Sequence, residues 1–119
     1  MKALSIVAPS GTKIANGMKT LEIRKWKPSL RPDEDLLIVE NTRFLRRENE
    51  TDQDGRAIAI VRVQKVRPFV QADVDAACAS YFEEGWLAWE LTDIRKISCS
   101  KPVLAARGIY DLQVDLDQG

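Results

Sequence analysis

Apolar residues in this chain fall in short runs broken by glycine, proline or clustered charge, and most of the runs have the period of strands. Ala3–Ala8 reads as a buried strand that Pro9 stops. Ser10-Gly11-Thr12 reads as a helix start with Ser10 as N-cap, and the brief helix, roughly Gly11–Asn16, closes at Gly17 in the left-handed C′ position. Thr20–Trp26 alternates, with Leu21 and Ile23 on one face and Thr20, Glu22, Arg24 and Trp26 on the other. Lys27–Asp33 holds Pro28 and Pro32 and reads as a loop. Asp35–Asn41 contains Leu36-Leu37-Ile38-Val39, apolar on both faces, which predicts a central strand with Glu40 and Asn41 at its mouth. Thr42–Arg56 is the most polar segment and reads as an exposed loop of mixed charge.

The second half repeats the pattern. Ala57–Val66 returns to strand. In Asp73–Glu84, residues Val74, Ala77, Cys78, Tyr81 and Phe82 recur at helical spacing and Gly85 caps the end, which predicts a second helix with Cys78 on its packed face. Trp86–Ile97 reads as a strand and Pro102–Gly108 as a loop. Ile109–Leu116 reads as a last strand with Tyr110, Leu112, Val114 and Leu116 inward, followed by a frayed Asp117-Gln118-Gly119. The order β-α-β-β-β-α-β-β predicts an α+β fold: a small, mainly antiparallel barrel or curled sheet with two short helices at its edges.

Composition narrows the function classes. A chain of 119 residues, 45% hydrophobic and 30% charged, is expected to form one domain, residues 1–119, with a core that needs neither disulfide nor metal. Eighteen basic residues balance eighteen acidic ones, so net charge gives no sign of a nucleic-acid or membrane partner, although neutrality hides local asymmetry. Cys78 and Cys99 lack metal-binding spacing and read as two free, mostly buried thiols in a reducing compartment. The opening apolar run is too short for a signal peptide, no run approaches a membrane span, and a cytoplasmic location is expected. The chain has no histidine, which removes Ser-His-Asp and Cys-His mechanisms and the commonest metal ligand. No metal or cofactor is expected.

Candidate chemistry therefore gathers between Gly17 and Trp26, where Lys19, Glu22 and Arg24 stand within a few residues. A solvated face with a Glu–Arg pair is one reading. The helix start at Ser10 offers free N–H groups to an anion, though every helix does so. Arg43, Arg46 and Arg47 in the polar loop could meet phosphates, a reading ranked below simple exposure.

These residues and their order resemble the ASCH domain family, a branch of the PUA-like superfamily. The family signature Gly-x-Lys-x-x-Glu-x-Arg stands intact as Gly17, Lys19, Glu22 and Arg24. Leu4-Ser5-Ile6 and Pro9 ahead of the helix, Trp26 after the motif, Leu37-Ile38-Val39 and the late Trp86-Leu87-Ala88-Trp89-Glu90-Leu91 run also match. The resemblance implies a PUA-like small β-barrel of about five to six mainly antiparallel strands with two short flanking helices. It implies a cleft beside the first helix, lined by the motif, and action on RNA or nucleotides. Small bacterial relatives include amidohydrolases that deacylate N4-acetylcytidine, with a catalytic lysine at the position of Lys19. They carry Thr where this chain has Glu22 and use a further Glu, for which Glu40 and Glu90 are the candidates. Other branches bind modified bases without chemistry or sit in transcription coactivators.

Three readings follow. In hydrolysis, Lys19 acts as base only if burial or a nearby cation lowers its pKa well below about 10.4. Alternatively Glu22 takes the proton while Lys19 and Arg24 stabilise negative charge, a scheme that needs less perturbation and serves an amidohydrolase or a ribonuclease cleaving an RNA phosphodiester. In a binding module, Lys19 and Arg24 meet phosphate or a base edge and Trp26 supplies a stacking face. In a protein-interaction module the cleft is vestigial. Lys19, Glu22 and Arg24 are the catalytic candidates. Ser10, Thr20, Trp26 and Asn41 are placed to touch an RNA or modified-nucleoside ligand. Trp89, on an apolar strand face, is expected in the core.

Overall fold

The computed structural model describes residues 1–114. Seven strands form: β1 (Lys2–Val7), β2 (Leu21–Arg24), β3 (Leu36–Asn41), β4 (Thr51–Pro68), β5 (Leu87–Lys96), β6 (Val103–Ala106) and β7 (Ile109–Asp111), with one α-helix, α1 (Ser10–Ala15), after β1. The pairing path is β2-β5-β4-β3-β1-β7, and β6 adds to the early half of β4. β1 and β3 run parallel, with Leu4 beside Ile38, and the other pairs are antiparallel.

The hydrophobic pattern explains the layering. Leu36-Leu37-Ile38-Val39 is apolar on both faces because β3 is covered on both. Leu36 and Ile38 join Leu4, Ile6, Ile14, Val61, Val63 and Trp89 on one side. Leu37 and Val39 join Ala3, Ala57, Ile60 and Ala105 on the other. The helix supplies Ile14 to the first side and β6 supplies Ala105 to the second. A third cluster of Leu21, Phe69, Ala77 and Ala88 packs β2 and β5 against the segment after β4.

Several expectations are corrected. The sheet is open rather than a closed barrel. Its ends, β2 and β7, are the short strands of four and three residues, and they do not pair with each other. Among the described residues there are seven strands rather than five to six, because Thr51–Gly55 and Val103–Ala106, both read as loop, pair as part of β4 and as β6. The second helix is absent from the described residues. Gln71–Asp73 makes one 3-10 turn, and the carbonyls that would continue a helix are diverted: Ala76 O accepts Thr20 N–H at 2.9 Å, and Ala77 O accepts the Lys19 ammonium at 2.6 Å. Cys78 then sits at φ +51° and is exposed, not packed on a helical stripe. At the other end, β7 stops at Asp111, and the expected strand residue Leu116 and the frayed 117–119 end lie outside the described residues.

The first helix forms as expected, with Gly17 at φ +76° just past its end. Its N-cap is Pro9 rather than Ser10, and the side-chain cap comes from across the sheet. Glu40 Oε2 accepts Thr12 N–H at 2.7 Å, and both Glu40 oxygens accept the Thr12 hydroxyl. The anion that a free helix start attracts is already present as Glu40.

Arg67 and Asp73 fasten the turn after β4. Arg67 Nη1 and Nη2 reach the two Asp73 oxygens at 2.7 and 3.0 Å, while its Nε reaches Glu90 at 2.7 Å. Asp73 Oδ2 also accepts Val70 N–H at 2.9 Å. The guanidinium beside it holds the Asp73 carboxyl below its ordinary value of 3.8.

Two predictions follow from this packing. A Cβ on Gly55 would stand 2.7 Å from Val39 Cγ1 and 2.8 Å from the Val103 carbonyl oxygen. Gly55→Ala should therefore cost about 1–3 kcal/mol in urea unfolding by prising β6 from β4; a neutral substitution would refute that tight contact. The Asp73 pKa is depressed on folding, so its stabilisation is complete above the unfolded pKa and lost as pH falls through the lower folded value. The stability gap between wild type and Asp73→Asn should stay flat from neutral pH to ~5 and shrink below ~4. A gap independent of pH down to the acid transition would contradict this.

Candidate functional site

The signature residues lie on one short stretch, from the close of α1 to the end of β2. Gly17 turns the chain out of the helix, Lys19 follows, and β2 carries Glu22 and Arg24. Lys19 is only 6% exposed and Glu22 5%. Of the polar face read from alternation, Glu22 is thus covered and Arg24 half-buried, while Thr20 and Trp26 are exposed. Lys19 Nζ donates to Ala77 O and lies 3.3 Å from Glu22 Oε1. Arg24 Nε donates to Glu22 Oε2 at 2.9 Å, and its Nη2 lies 2.9 Å from the same oxygen and donates to Ser5 O at 3.2 Å. One buried carboxylate thus joins two cations, each of which also holds a backbone carbonyl. Arg24 Nη1 has no partner among the described residues.

Beside this row opens a cleft of about 460 Å³. Its floor includes Ser5, Glu22, Arg24 and Asn41, and its rim includes Ser10, Trp26, Arg43, Phe44 and Arg107. Glu22, Arg24, Ser10, Trp26 and Asn41 of the expected residues therefore come together. Lys19 and Thr20 are not among the lining residues: Lys19 stands behind Glu22, and Thr20 gives its backbone to Ala76 and Leu91. Trp26 is 37% exposed and meets Trp89 edge-on at 5.0 Å, while Trp89 is fully buried and donates its indole N–H to Trp26 O at 3.2 Å. Asn41 Nδ2 donates to Arg43 O at 2.7 Å, shaping the start of the loop after β3.

Neither further carboxylate reaches the cleft lining. Glu40 caps α1, and Glu90 pairs with Arg67.

Two lining elements, Ser5 and Arg107, were not among the expected site residues. Ser5 bridges the cleft: its carbonyl takes Arg24, its hydroxyl accepts Ala106 N–H at 3.1 Å, and it lies 2.8 Å from the Tyr110 hydroxyl. Tyr110 donates to Leu104 O at 2.8 Å, and burial raises its pKa above the usual 10.0, keeping it a donor. Arg107 occupies the turn Arg107-Gly108, with Gly108 at φ +67°, and its side chain has no partner among the described residues. A basic residue before glycine, between the apolar runs 103–106 and 109–110, is the available signal for an exposed cation on a tight turn.

Among the described residues, no group of three or more His, Cys, Asp or Glu could hold a metal ion, and no helix is long and apolar enough to cross a membrane.

Comparison with known proteins bears on the family and the fold. The ASCH domain model matches residues 4–100. The structure is similar to that of ASCH from Zymomonas mobilis, with a TM-score of 0.63 at 18% identity over 86% of this chain and 71% of that one. It is also similar to a tyrosine-to-phenylalanine variant of the Zymomonas mobilis protein (TM-score 0.59, 16% identity, 86% and 73% covered). A serine-to-alanine variant gives a TM-score of 0.57 at 16% identity, with 81% and 70% covered. No curated protein matches the sequence.

The buried row sets a stability prediction. Glu22→Ala strands two cations and should cost about 3–5 kcal/mol in guanidinium unfolding. Lys19→Met leaves Glu22 with Arg24 and should cost less. The reverse order would show that Lys19, not Glu22, is the hub.

Proposed function

This chain belongs to the ASCH domain family, and we propose that it acts as one domain that binds RNA, or a modified nucleoside of RNA, in the cleft beside Glu22 and Arg24. The observation that carries this reading is which groups in the cleft have valences left for a ligand. Both Glu22 oxygens are engaged by cations, and the Lys19 ammonium is turned to Ala77 O behind it. What remains open is the Arg24 Nη1 donor pair, the Arg107 guanidinium and the exposed Trp26 ring. Guanidinium donors match phosphate oxygens or base acceptors, and an indole face stacks on a base. A cleft of about 460 Å³ falls within the range of about 300–1,000 Å³ for small-molecule sites. It suits one nucleoside.

In this scheme the buried pair positions Arg24 and does not transfer protons. Glu22 holds the guanidinium through Nε and one face of Nη2, and Ser5 O fixes the second face. A fixed guanidinium loses less entropy on binding than a free one. A second reading, hydrolysis with Glu22 as base, is favoured by one fact: Glu22 lines the cleft as well as the ion row. The cytoplasmic setting expected from the cysteine spacing is compatible with either.

The test is a pair of measurements on one preparation. Fluorescence anisotropy with labelled single-stranded RNA should show saturable binding that weakens with salt. Arg107→Ala should weaken it without lowering the thermal midpoint. Mass spectrometry after incubation with the RNA and with N-acylated nucleosides should show no product. A product that vanishes in Glu22→Gln would replace the binding reading with hydrolysis, and absence of any RNA or nucleoside binding would overturn both.

A further inference from the structure

We infer that the loop between β3 and β4 is a second contact site, so that the ligand is a single-stranded oligoribonucleotide and not a free nucleoside. The inference rests on the cleft reading above and extends it from one nucleotide to a strand.

The observations lie at the cleft mouth. Phe44 is 66% exposed, the most exposed large apolar side chain among the described residues, and it lines both the cleft and a concavity formed by residues 44 and 46–50. An exposed aromatic ring shared by two adjoining hollows fits a base leaving the first and entering the second. The Arg46 guanidinium stands 5.9 Å from the centre of that ring. The Arg47 side chain has no partner among the described residues.

The loop is nevertheless built, not loose. Glu50 is its hub: Oε1 accepts the backbone N–H groups of Arg46 and Arg47 at 2.9 and 3.2 Å, and Oε2 accepts Arg43 Nη1. Arg43 Nη2 donates to Thr51 O at 2.8 Å, and Leu45 packs on the cluster of Leu37 and Val39. These contacts consume Arg43, Glu50 and Asp52 among themselves. Arg107 on the cleft rim and Arg46 and Arg47 in the adjoining concavity then remain without an ionic partner among the described residues, against Glu48 and, at the start of β4, Asp54 as acids likewise without one. An exposed ring with flanking arginines is the arrangement that follows a single strand: stacking for the base, cations for the phosphates on either side. A duplex, with its bases already stacked, would leave Phe44 unused.

The experiment uses the full chain and labelled oligouridylates of one, three and six nucleotides, titrated by anisotropy at several salt concentrations. Affinity should rise at least tenfold from one to six nucleotides. Phe44→Ala should cut that advantage about tenfold. Arg46→Ala/Arg47→Ala should cut it similarly and flatten the salt slope by about 1.4, two phosphates at about 0.7 each. All these side chains are exposed, and thermal melts should match wild type. Equal affinity at all three lengths, with Arg107→Ala still weakening binding, would overturn the loop site and leave the cleft reading standing. Loss of binding to every RNA in wild type would remove both. A duplex RNA, or an oligoglutamate of equal charge, binding as tightly as the hexanucleotide would show that the loop reads charge alone and would also overturn the proposal.

Discussion

The structure depends on one ion row sealed beside a short strand. β2 has four residues and a single strand neighbour, β5, so it has little ladder of its own to hold it. What fastens its other side is Lys19. The ammonium takes Ala77 O at 2.6 Å and Glu22 at 3.3 Å, while Ala76 O takes the Thr20 and Leu21 amides. Removing a lysine and a glutamate from water costs several kcal/mol per ion unless their partners are complete. Here they are: no buried side-chain polar atom among the described residues is left without a hydrogen-bond partner. The segment after β4 exists to supply those carbonyls, and Arg67 with Asp73 keeps it in the required shape. The Gly-x-Lys-x-x-Glu-x-Arg motif is thus first a device for docking β2, and the placement of Arg24 is its consequence.

The same fact explains what could and could not be read from the sequence. β3 was legible because four consecutive apolar residues need cover on both faces, and they receive it from two separate clusters. Trp89 was legible as core because its neighbours on one strand face are apolar, and Gly17 because a helix of six residues needs a left-handed exit. The second helix was misread for a physical reason. Val74, Ala77 and Phe82 do pack together around Phe69, as helical spacing predicts, but the carbonyls of Ala76 and Ala77 have better partners in β2 and Lys19 than in the next turn. Periodicity reports which side chains are buried and is silent on where the backbone bonds go. Thr51–Gly55 was misread as loop because its polar side chains hide a ladder to β6, marked only by Gly55 pressed against the Val103 carbonyl.

The candidate site divides along the same line. Alternation placed Glu22, Arg24 and Trp26 on one face, and all three line the cleft. It could not show that Lys19, two residues before the strand, would lie behind Glu22. Nor could it show that Ser5 would join the Arg24 guanidinium to the Ala106 amide across the cleft. Those links come from β1 and from the chain after β5, distant in sequence and adjacent only through the sheet order.

Net charge is the last point on which sequence and structure differ. Eighteen basic and eighteen acidic residues sum to zero, which by itself gives no sign of a nucleic-acid or membrane partner. The sheet sorts them. Glu22 is spent on Lys19 and Arg24, Glu40 on α1, Glu90 and Asp73 on Arg67, and Asp35 on Arg62 and Arg95. These acids are consumed in holding the fold, while Arg107 at the cleft rim and Arg46 and Arg47 in the adjoining concavity have no ionic partner among the described residues. Paired charges a few ångströms apart cancel at a distance, and unpaired ones do not. A chain with no net charge therefore still presents a cationic rim around an exposed tryptophan and an exposed phenylalanine. That local imbalance, not the total, is what an approaching phosphate would meet.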